Sequence, residues 1–210
     1  MRRPIIAALL STAVALGPWA HAADPQVIDV AGDGNLTGQA LPAGNQAYAD
    51  VVSTKWESAT LKGKPAFKVT LTLTGPPTPP SGTAVVYRAL GVPSNCGFFG
   101  VVYYTSKSSD KTIPQSAVRD NCVAETTRLT EIPLPEIKES VITWTVPLSV
   151  IPADAKIGKG TSLNNLFTTV NGIQDFRGVC LPSQTPVYGA ACGLGAGLID
   201  EAKSDKSFKL

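Results

Sequence analysis

Histidine and methionine are almost absent from the sequence. One residue of each occurs, His21 and Met1, and both lie within the first 22 positions. A chain that loses those positions has no imidazole and no thioether. It cannot build a serine or cysteine nucleophile activated by histidine, a histidine-ligated zinc or copper site, or a haem held by histidine or methionine.

The first 22 residues have the three parts of a secretory signal peptide. Arg2 and Arg3 form a positive region, and Ile5 to Leu16 form an apolar run that is shorter than the roughly 20 residues of a membrane-spanning helix. Ala20-His21-Ala22 then gives a small-x-small cleavage pattern. We expect a signal peptide over residues 1–22 and a product that is secreted, or periplasmic if the host has an outer membrane. A buried N-terminal helix is the alternative.

Charged residues are scarce, at 16% of the chain. Loss of Arg2 and Arg3 with the signal would leave 16 basic residues against 16 acidic ones. The basic residues are scattered, and no later apolar run is long enough to anchor the chain. We therefore expect no nucleic-acid partner and no membrane anchor. The remaining residues, 23–210, fit a single domain with a substantial core.

Alternation of apolar and polar residues predicts an all-β fold. The clearest strand spans Ala66 to Thr74, where apolar residues alternate with lysine and threonine. Ser162 to Val170 fits either a strand or a short helical turn. Further strands are predicted at Tyr48 to Leu61, Thr83 to Leu90, Gly97 to Thr105, Val123 to Leu134, Glu139 to Leu148 and Ser207 to Leu210. Seven to nine short antiparallel strands joined by Gly/Pro turns indicate an immunoglobulin-like or jelly-roll β-sandwich.

Four cysteines, Cys96, Cys122, Cys180 and Cys192, indicate two disulfide bonds in an exported chain. Three pairings are open on paper. We favour Cys96–Cys122 and Cys180–Cys192 because each closes a local loop, the first across the base of a hairpin that turns near Asp110. A cysteine metal site is the alternative, but the chain contains no C-x-x-C spacing.

An acidic loop near the N-terminus is the best candidate for a metal site. Ca²⁺ prefers about six to eight oxygen ligands on backbone that can curl around it. Asp29, Asp33 and Asn35 supply such oxygens, with glycines between them, and Asp50 lies at the start of the first long strand. An ordinary Asx-turn loop without a metal is the first interpretation, and the chain requires no cofactor. A structural Ca²⁺ at these four residues is the alternative, which Asp200-Glu201 could complete if the ends of the chain meet.

Surplus aromatic side chains predict a ligand platform. Neighbours on a strand point to opposite faces, so the pair Tyr103-Tyr104 places one ring outside a core unless both faces are covered. We expect Tyr103 or Tyr104 at the rim of a sugar-binding surface, with Trp56 and Trp144 as further stacking residues. Core packing is the alternative for each ring.

Two stretches of the chain carry longer motifs. One joins the loop Asp29 to Asn35 and the strand start Asp50 to Ser53 to the amphipathic strand Phe67 to Leu73. The other joins Trp144 to Leu148 to a turn at Ile157 to Gly160. Together they resemble secreted bacterial β-sandwiches of the DOMON and family-9 carbohydrate-binding module group. The resemblance implies a sandwich that binds sugars or haem, often beside a structural calcium. Haem-binding members use methionine and histidine, which this chain lacks after processing.

Carboxylates alone can hydrolyse glycosides, so an enzyme without histidine is one alternative. The candidate acids are Glu125, Glu131, Glu136 and Glu139, and no two of them lie on one apolar strand face. We expect a non-catalytic binding domain, whose ligand is a carbohydrate or another cell-envelope component. A two-carboxylate glycoside hydrolase, or a structural or protein-interaction module without a small ligand, are the alternatives.

Overall fold

Period-two alternation builds the central strand of the first sheet. In a computed structural model of the chain, which describes residues 24–33, 46–80, 83–108, 111–123, 126–174 and 196–210, strand β3 spans Lys64–Leu73. Phe67, Val69, Leu71 and Leu73 are buried, and the residues between them are partly exposed. Strand β3 therefore has the one buried face that the sequence predicts.

The first sheet has five antiparallel strands. In spatial order they are β1 (Val27–Ile28), β2 (Val51–Leu61), β3 (Lys64–Leu73), β9 (Val141–Pro147) and β8 (Glu136–Lys138). The hairpin between β2 and β3 turns at Lys62 and Gly63, which both have positive φ. The strand β1 lies at the edge of this sheet, so the N-terminal segment is part of the sandwich.

The second sheet has seven antiparallel strands. In spatial order six of them are β11 (Ala196–Lys203), β10 (Ser162–Gln174), β4 (Thr83–Pro93), β5 (Phe99–Ser108), β6 (Lys111–Val123) and β7 (Thr126–Glu131). The seventh, β12 (Phe208–Lys209), pairs with the start of β10. A bulge interrupts β10 between Asn164 and Phe167, where Asn165 has a positive φ of 46°. Two single-turn 3-10 helices, Leu148–Val150 and Ala153–Ala155, follow β9.

The two sheets pack face to face over one core. The hydroxyls of Thr54 and Thr168 are 2.6 Å apart across the interface. The Phe67 ring lies 5.9 Å from that of Trp56 on the same sheet and 5.8 Å from that of Phe99 on the other. Aromatic pairs at these distances add to the free energy of burial. The structure is thus the all-β sandwich that the sequence predicts.

The outer face of the second sheet carries a smaller apolar cluster. Its buried members are small or β-branched except for one tyrosine: Ala84, Val86, Val102, Tyr104 and Ala117. The strand β5 therefore contributes apolar side chains to both faces of its sheet. No helix within the described ranges is long and apolar enough to cross a bilayer.

Four of the twelve described strands, β1, β6, β8 and β11, have no counterpart among the strands that the sequence predicts. The strand β6 contains Pro114, which is unusual within a sheet, but β7 pairs with β6 only from Ala117 onward, so Pro114 lies on an edge stretch. The segment from Ser162 is a strand and not a helical turn, and it continues to Gln174. The sequence also predicted a loop where Val27–Ile28 pairs with β2. The structure therefore has twelve described strands where the sequence predicted seven to nine.

Candidate cation site and surface concavity

Three aspartates converge where the edges of the two sheets meet. Asp29 follows β1 and continues its pairing, because its backbone N–H donates to the carbonyl of Val52 at 3.0 Å. Asp33 lies four residues later, and Asp200 belongs to β11 in the other sheet. One carboxylate oxygen from each of the three lies within 4.8 Å of the others. Carboxylates from both ends of the chain are thus brought to one place.

The spacing of these oxygens fits a single cation. Oxygens on opposite sides of a Ca²⁺ ion lie about 5 Å apart, since each Ca–O distance is about 2.4 Å. The Oδ2 atom of Asp29 is buried and has no hydrogen-bond partner. An orphaned carboxylate oxygen beside two further carboxylates is a free ligand position, so the residues present fit a hard divalent cation.

Charge repulsion and burial act together on this cluster. Burial, with the neighbouring charges of Asp33 and Asp50, raises the pKa of Asp29 above its usual value although the N–H of Val30 lowers it. Burial is also the main cause that raises the pKa of Asp200 to about 6, and the charges of Asp29 and Asp33 add to it. Both shifts mean that ionisation of these carboxyl groups costs free energy in the folded protein.

Hydrogen bonds hold the loop and the strand in this arrangement. The Oδ2 atom of Asp50 accepts from the N–H of Gly32 at 2.8 Å and from the Thr74 hydroxyl at 2.6 Å. Gly32 has a φ of +94°, a conformation that glycine adopts without strain. Asp50 therefore fixes the turn between Asp29 and Asp33. It is an anchor of the loop, and its oxygens are not among the three that converge.

The four predicted metal ligands thus have different positions. Asp29 and Asp33 lie in the cluster, Asp50 lies beside it, and Asn35 is outside the described residues. Asp200, which the sequence offered only on condition that the chain ends meet, is the third member. Its neighbour Glu201 instead pairs with Lys203, with 2.9 Å between the Nζ and carboxylate oxygen atoms.

The four aromatic residues predicted to bind a ligand are buried. Trp56, Trp144 and Tyr104 are each 1% exposed and Tyr103 is 4% exposed. Trp56, Trp144 and Tyr103 belong to the core between the sheets, and Tyr104 lies in the outer cluster. Because stacking on a sugar needs an exposed ring face, these side chains do not form the expected platform. All four rings are instead packed among buried apolar residues, which was the alternative interpretation.

A different aromatic residue lines a concavity of the surface. A depression of about 480 Å³ lies beside Phe167, at the bulge of β10. Val92 and Leu166 add apolar surface, and Asn165, Glu201 and Asp205 add polar groups. An aromatic ring with amide and carboxylate groups around it is a composition that suits a sugar. The sequence did not identify Phe167, because the bulge between Asn164 and Phe167 interrupts the alternation of buried and exposed residues.

The structure confirms one predicted disulfide. Cys96, in the turn after β4, bonds to Cys122 near the end of β6. The bond crosses the base of the β5–β6 hairpin, as its position in the sequence predicts. Cys180 and Cys192 lie outside the described residues.

The glutamates of the hydrolase alternative lie at the surface where the structure describes them. Glu131, Glu136 and Glu139 are exposed, and Glu136 pairs with Lys138 at 2.7 Å. Glu125 lies outside the described residues.

Comparison with known proteins gives no identity. No family model, curated protein or solved structure matches the chain significantly.

Proposed function

We propose that the chain is an exported, non-catalytic binding domain in which a Ca²⁺ ion holds the N-terminal segment against strand β11. The observation that carries this proposal is the approach of three carboxylate oxygens, from Asp29, Asp33 and Asp200, to within 4.8 Å of one another. A divalent ion offsets the repulsion among them and gives the orphaned Asp29 oxygen a partner. The DOMON-like motifs of the sequence also imply a structural calcium.

Ca²⁺ suits this cluster better than Mg²⁺ does. The ligands come from a turn and from a strand of the other sheet, so their arrangement is irregular. Ca²⁺ accepts irregular sets of oxygens, whereas Mg²⁺ demands a near-ideal octahedron. In this proposal the ion is structural: it fastens the edge of the sandwich and takes no part in a reaction.

Thermal unfolding with and without calcium tests the proposal. We expect 1 mM Ca²⁺ to raise the melting temperature above its value in chelator by roughly 5–10 °C if the ion exceeds its Kd about 100-fold. The Asp200→Asn variant should lose this response, because a neutral amide is a poorer ligand. Glu201→Gln, which removes a neighbouring carboxylate outside the cluster, should keep it. An unchanged melting temperature of the wild type across the calcium series contradicts the proposal.

Carbohydrate is the ligand class we propose for the domain. The specific observation in its favour is the concavity that Phe167 lines with Asn165, Glu201 and Asp205. A sugar ring presents an apolar face to such a ring and hydroxyls to amide and carboxylate groups. The resemblance to the carbohydrate-binding module group points to the same class of ligand.

Retention on a panel of insoluble and soluble polysaccharides tests this second proposal. We expect the wild type to be retained without release of reducing ends, and Phe167→Ala to bind at least tenfold more weakly. Leu134→Ala is the matched control, because Leu134 is an exposed apolar residue outside the concavity. Release of reducing ends would support the hydrolase alternative, and absence of retention on every polysaccharide would support a protein-interaction module.

A further inference from the structure

Two arginines lie on the outer face of the seven-stranded sheet, on either side of β5. Arg88 of β4 pairs with Val102, and Arg119 of β6 pairs with Gly100. Their neighbours along the strands, among them Ala89 and Val118, point into the core, so the arginines point outward. Both side chains remain partly exposed. Both arginines thus lie on one side of the sheet.

Neither arginine has a carboxylate partner among the described residues. Arg88 donates from Nη1 to the amide oxygen of Asn171, and the guanidinium carbon of Arg119 lies 4.9 Å from the centre of the Phe98 ring. The Nε atoms of Arg88 and Arg119 are both buried and make no hydrogen bond. Each arginine therefore has at least one N–H donor without a partner.

Arg128, on the neighbouring strand β7, differs from these two arginines because carboxylates accept its hydrogen bonds. It donates to both carboxylate oxygens of Asp120, at 3.1 and 3.2 Å, and to Asp154 at 2.7 Å. Those charges raise the pKa of Arg128, whereas burial and the charge of Arg119 lower the pKa of Arg88 to about 10. Two neighbouring cations that are partly buried without an anion carry a cost that an anionic ligand would offset.

We propose that Arg88 and Arg119 together bind an anionic group, a carboxylate or a sulfate, carried by the glycan that occupies the Phe167 concavity. Guanidinium groups bind planar or multi-oxygen anions through two parallel N–H donors, which a lysine cannot reproduce. The inference rests on the carbohydrate proposal above and adds the charge of the ligand to it.

The register of the sheet places Phe167 and Arg119 in one row across four strands. Phe167 pairs with Leu90, Leu90 with Gly100, and Gly100 with Arg119. Three strand spacings separate the ends of this row, about 14 Å in all. Gly100 has no side chain to project between Leu90 and Arg119. Leu90 and Gly100 are themselves buried, so a glycan that joins the concavity to the arginines would have to cross above them over this distance.

Titration calorimetry with three defined glycans tests the inference: oligogalacturonate for carboxylate, dextran sulfate for sulfate, and dextran as the neutral reference. With the full chain we expect one of the anionic glycans to bind at least tenfold more tightly than dextran does. The anion that wins identifies the group. Raising NaCl from 50 to 500 mM should remove most of this preference. Equal affinity for all three glycans overturns the inference, and so does the absence of binding to both anionic glycans.

Charge variants then locate the site. Arg119→Gln should weaken anionic-glycan binding at least tenfold, and Arg119→Lys should restore only part of it because the paired donors are lost. Lys64→Gln removes one positive charge from the other sheet and should change the affinity less than twofold. If Arg88→Gln fails to fold, the Arg119 series still decides the outcome. Equal losses in Arg119→Gln and Lys64→Gln contradict the site. A Phe167-dependent affinity without charge preference contradicts this inference and leaves the carbohydrate proposal standing.

Discussion

The carboxylate of Asp200 accepts a hydrogen bond from the backbone N–H of Val51 at 2.5 Å, although the two residues lie 149 positions apart. Val51 begins β2 in the first sheet, and Asp200 belongs to β11 in the second. Its other oxygen accepts from the N–H of Glu201 at 2.8 Å. The side chain thus joins the sheets at the edge where Asp29 and Asp33 gather, and the ionisation of Asp200 is coupled to the stability of that edge.

Stability in chelator should fall as the pH rises from 5 to 7. The folded-state pKa of Asp200, about 6, exceeds the ordinary value of 3.8, so the folded state binds more protons than the unfolded state does. The contribution of Asp200 is complete below the unfolded-state pKa and is lost as the pH passes 6. It amounts to at most about 3 kcal/mol. The raised pKa of Asp29 acts in the same direction.

Urea unfolding at pH 5, 6 and 7 checks this prediction. Asp200→Asn in chelator should show a flatter dependence on pH than the wild type. The stability that saturating Ca²⁺ adds should instead increase from pH 5 to pH 7, because protons compete with the ion for the same oxygens at the lower pH. A wild type that becomes more stable in chelator between pH 5 and 7 would refute the coupling.

The Cys96–Cys122 bond should stabilise the β5–β6 hairpin mainly through the unfolded state. A loop of this size, with a sequence separation of 26, is worth about 3 kcal/mol in the chain-entropy model. We expect the double variant Cys96→Ser/Cys122→Ser to lose about that amount in urea unfolding, with Cys180 and Cys192 left intact. A loss below about 1 kcal/mol would mean that the hairpin is already ordered in the unfolded chain.

Local patterns predicted the fold better than they predicted the site. The alternation in β3 and the position of the hairpin cysteines are readable in the sequence because neighbours along the chain decide them. The sequence pattern does not predict that Tyr103 and Tyr104 are both buried, because the burial of Tyr104 depends on the second apolar cluster on the outer face of the sheet.

The candidate sites need tertiary register in addition to pattern. Asp29 and Asp33 stand out in an acidic loop, but Asp200 joins them only because β11 lies beside the start of β2. Arg88 and Arg119 carry no signal in the sequence, because they are 31 positions apart and become neighbours through the pairing of three strands.

The ion pair between Asp120 and Arg128 should contribute more than any other described pair. Asp120 is fully buried, so removal of the guanidinium leaves a carboxylate without its compensating charge. We expect Arg128→Gln to cost about 3 kcal/mol in the free energy of unfolding, the lower end for a buried pair because Arg128 is partly exposed. Asp154→Asn removes the exposed partner of the same arginine and should cost less than about 1 kcal/mol. Similar losses in the two variants would contradict the dominance of the buried partner.

Gly100 should not accept even one added methyl group. A Cβ at this position would lie 2.1 Å from the carbonyl oxygen of Ala89 and 2.8 Å from the Cα of Leu90, so β4 and β5 would have to separate. Backbone atoms in the middle of a sheet cannot yield as a flexible side chain can. We expect Gly100→Ala to cost at least about 2 kcal/mol in urea unfolding. Gly158→Ala is the control, because nothing lies within 4 Å of its added Cβ, and it should leave the stability nearly unchanged. If the two variants proved equally stable, the close approach of β4 and β5 at Gly100 would be wrong, and with it the row that connects Phe167 to Arg119.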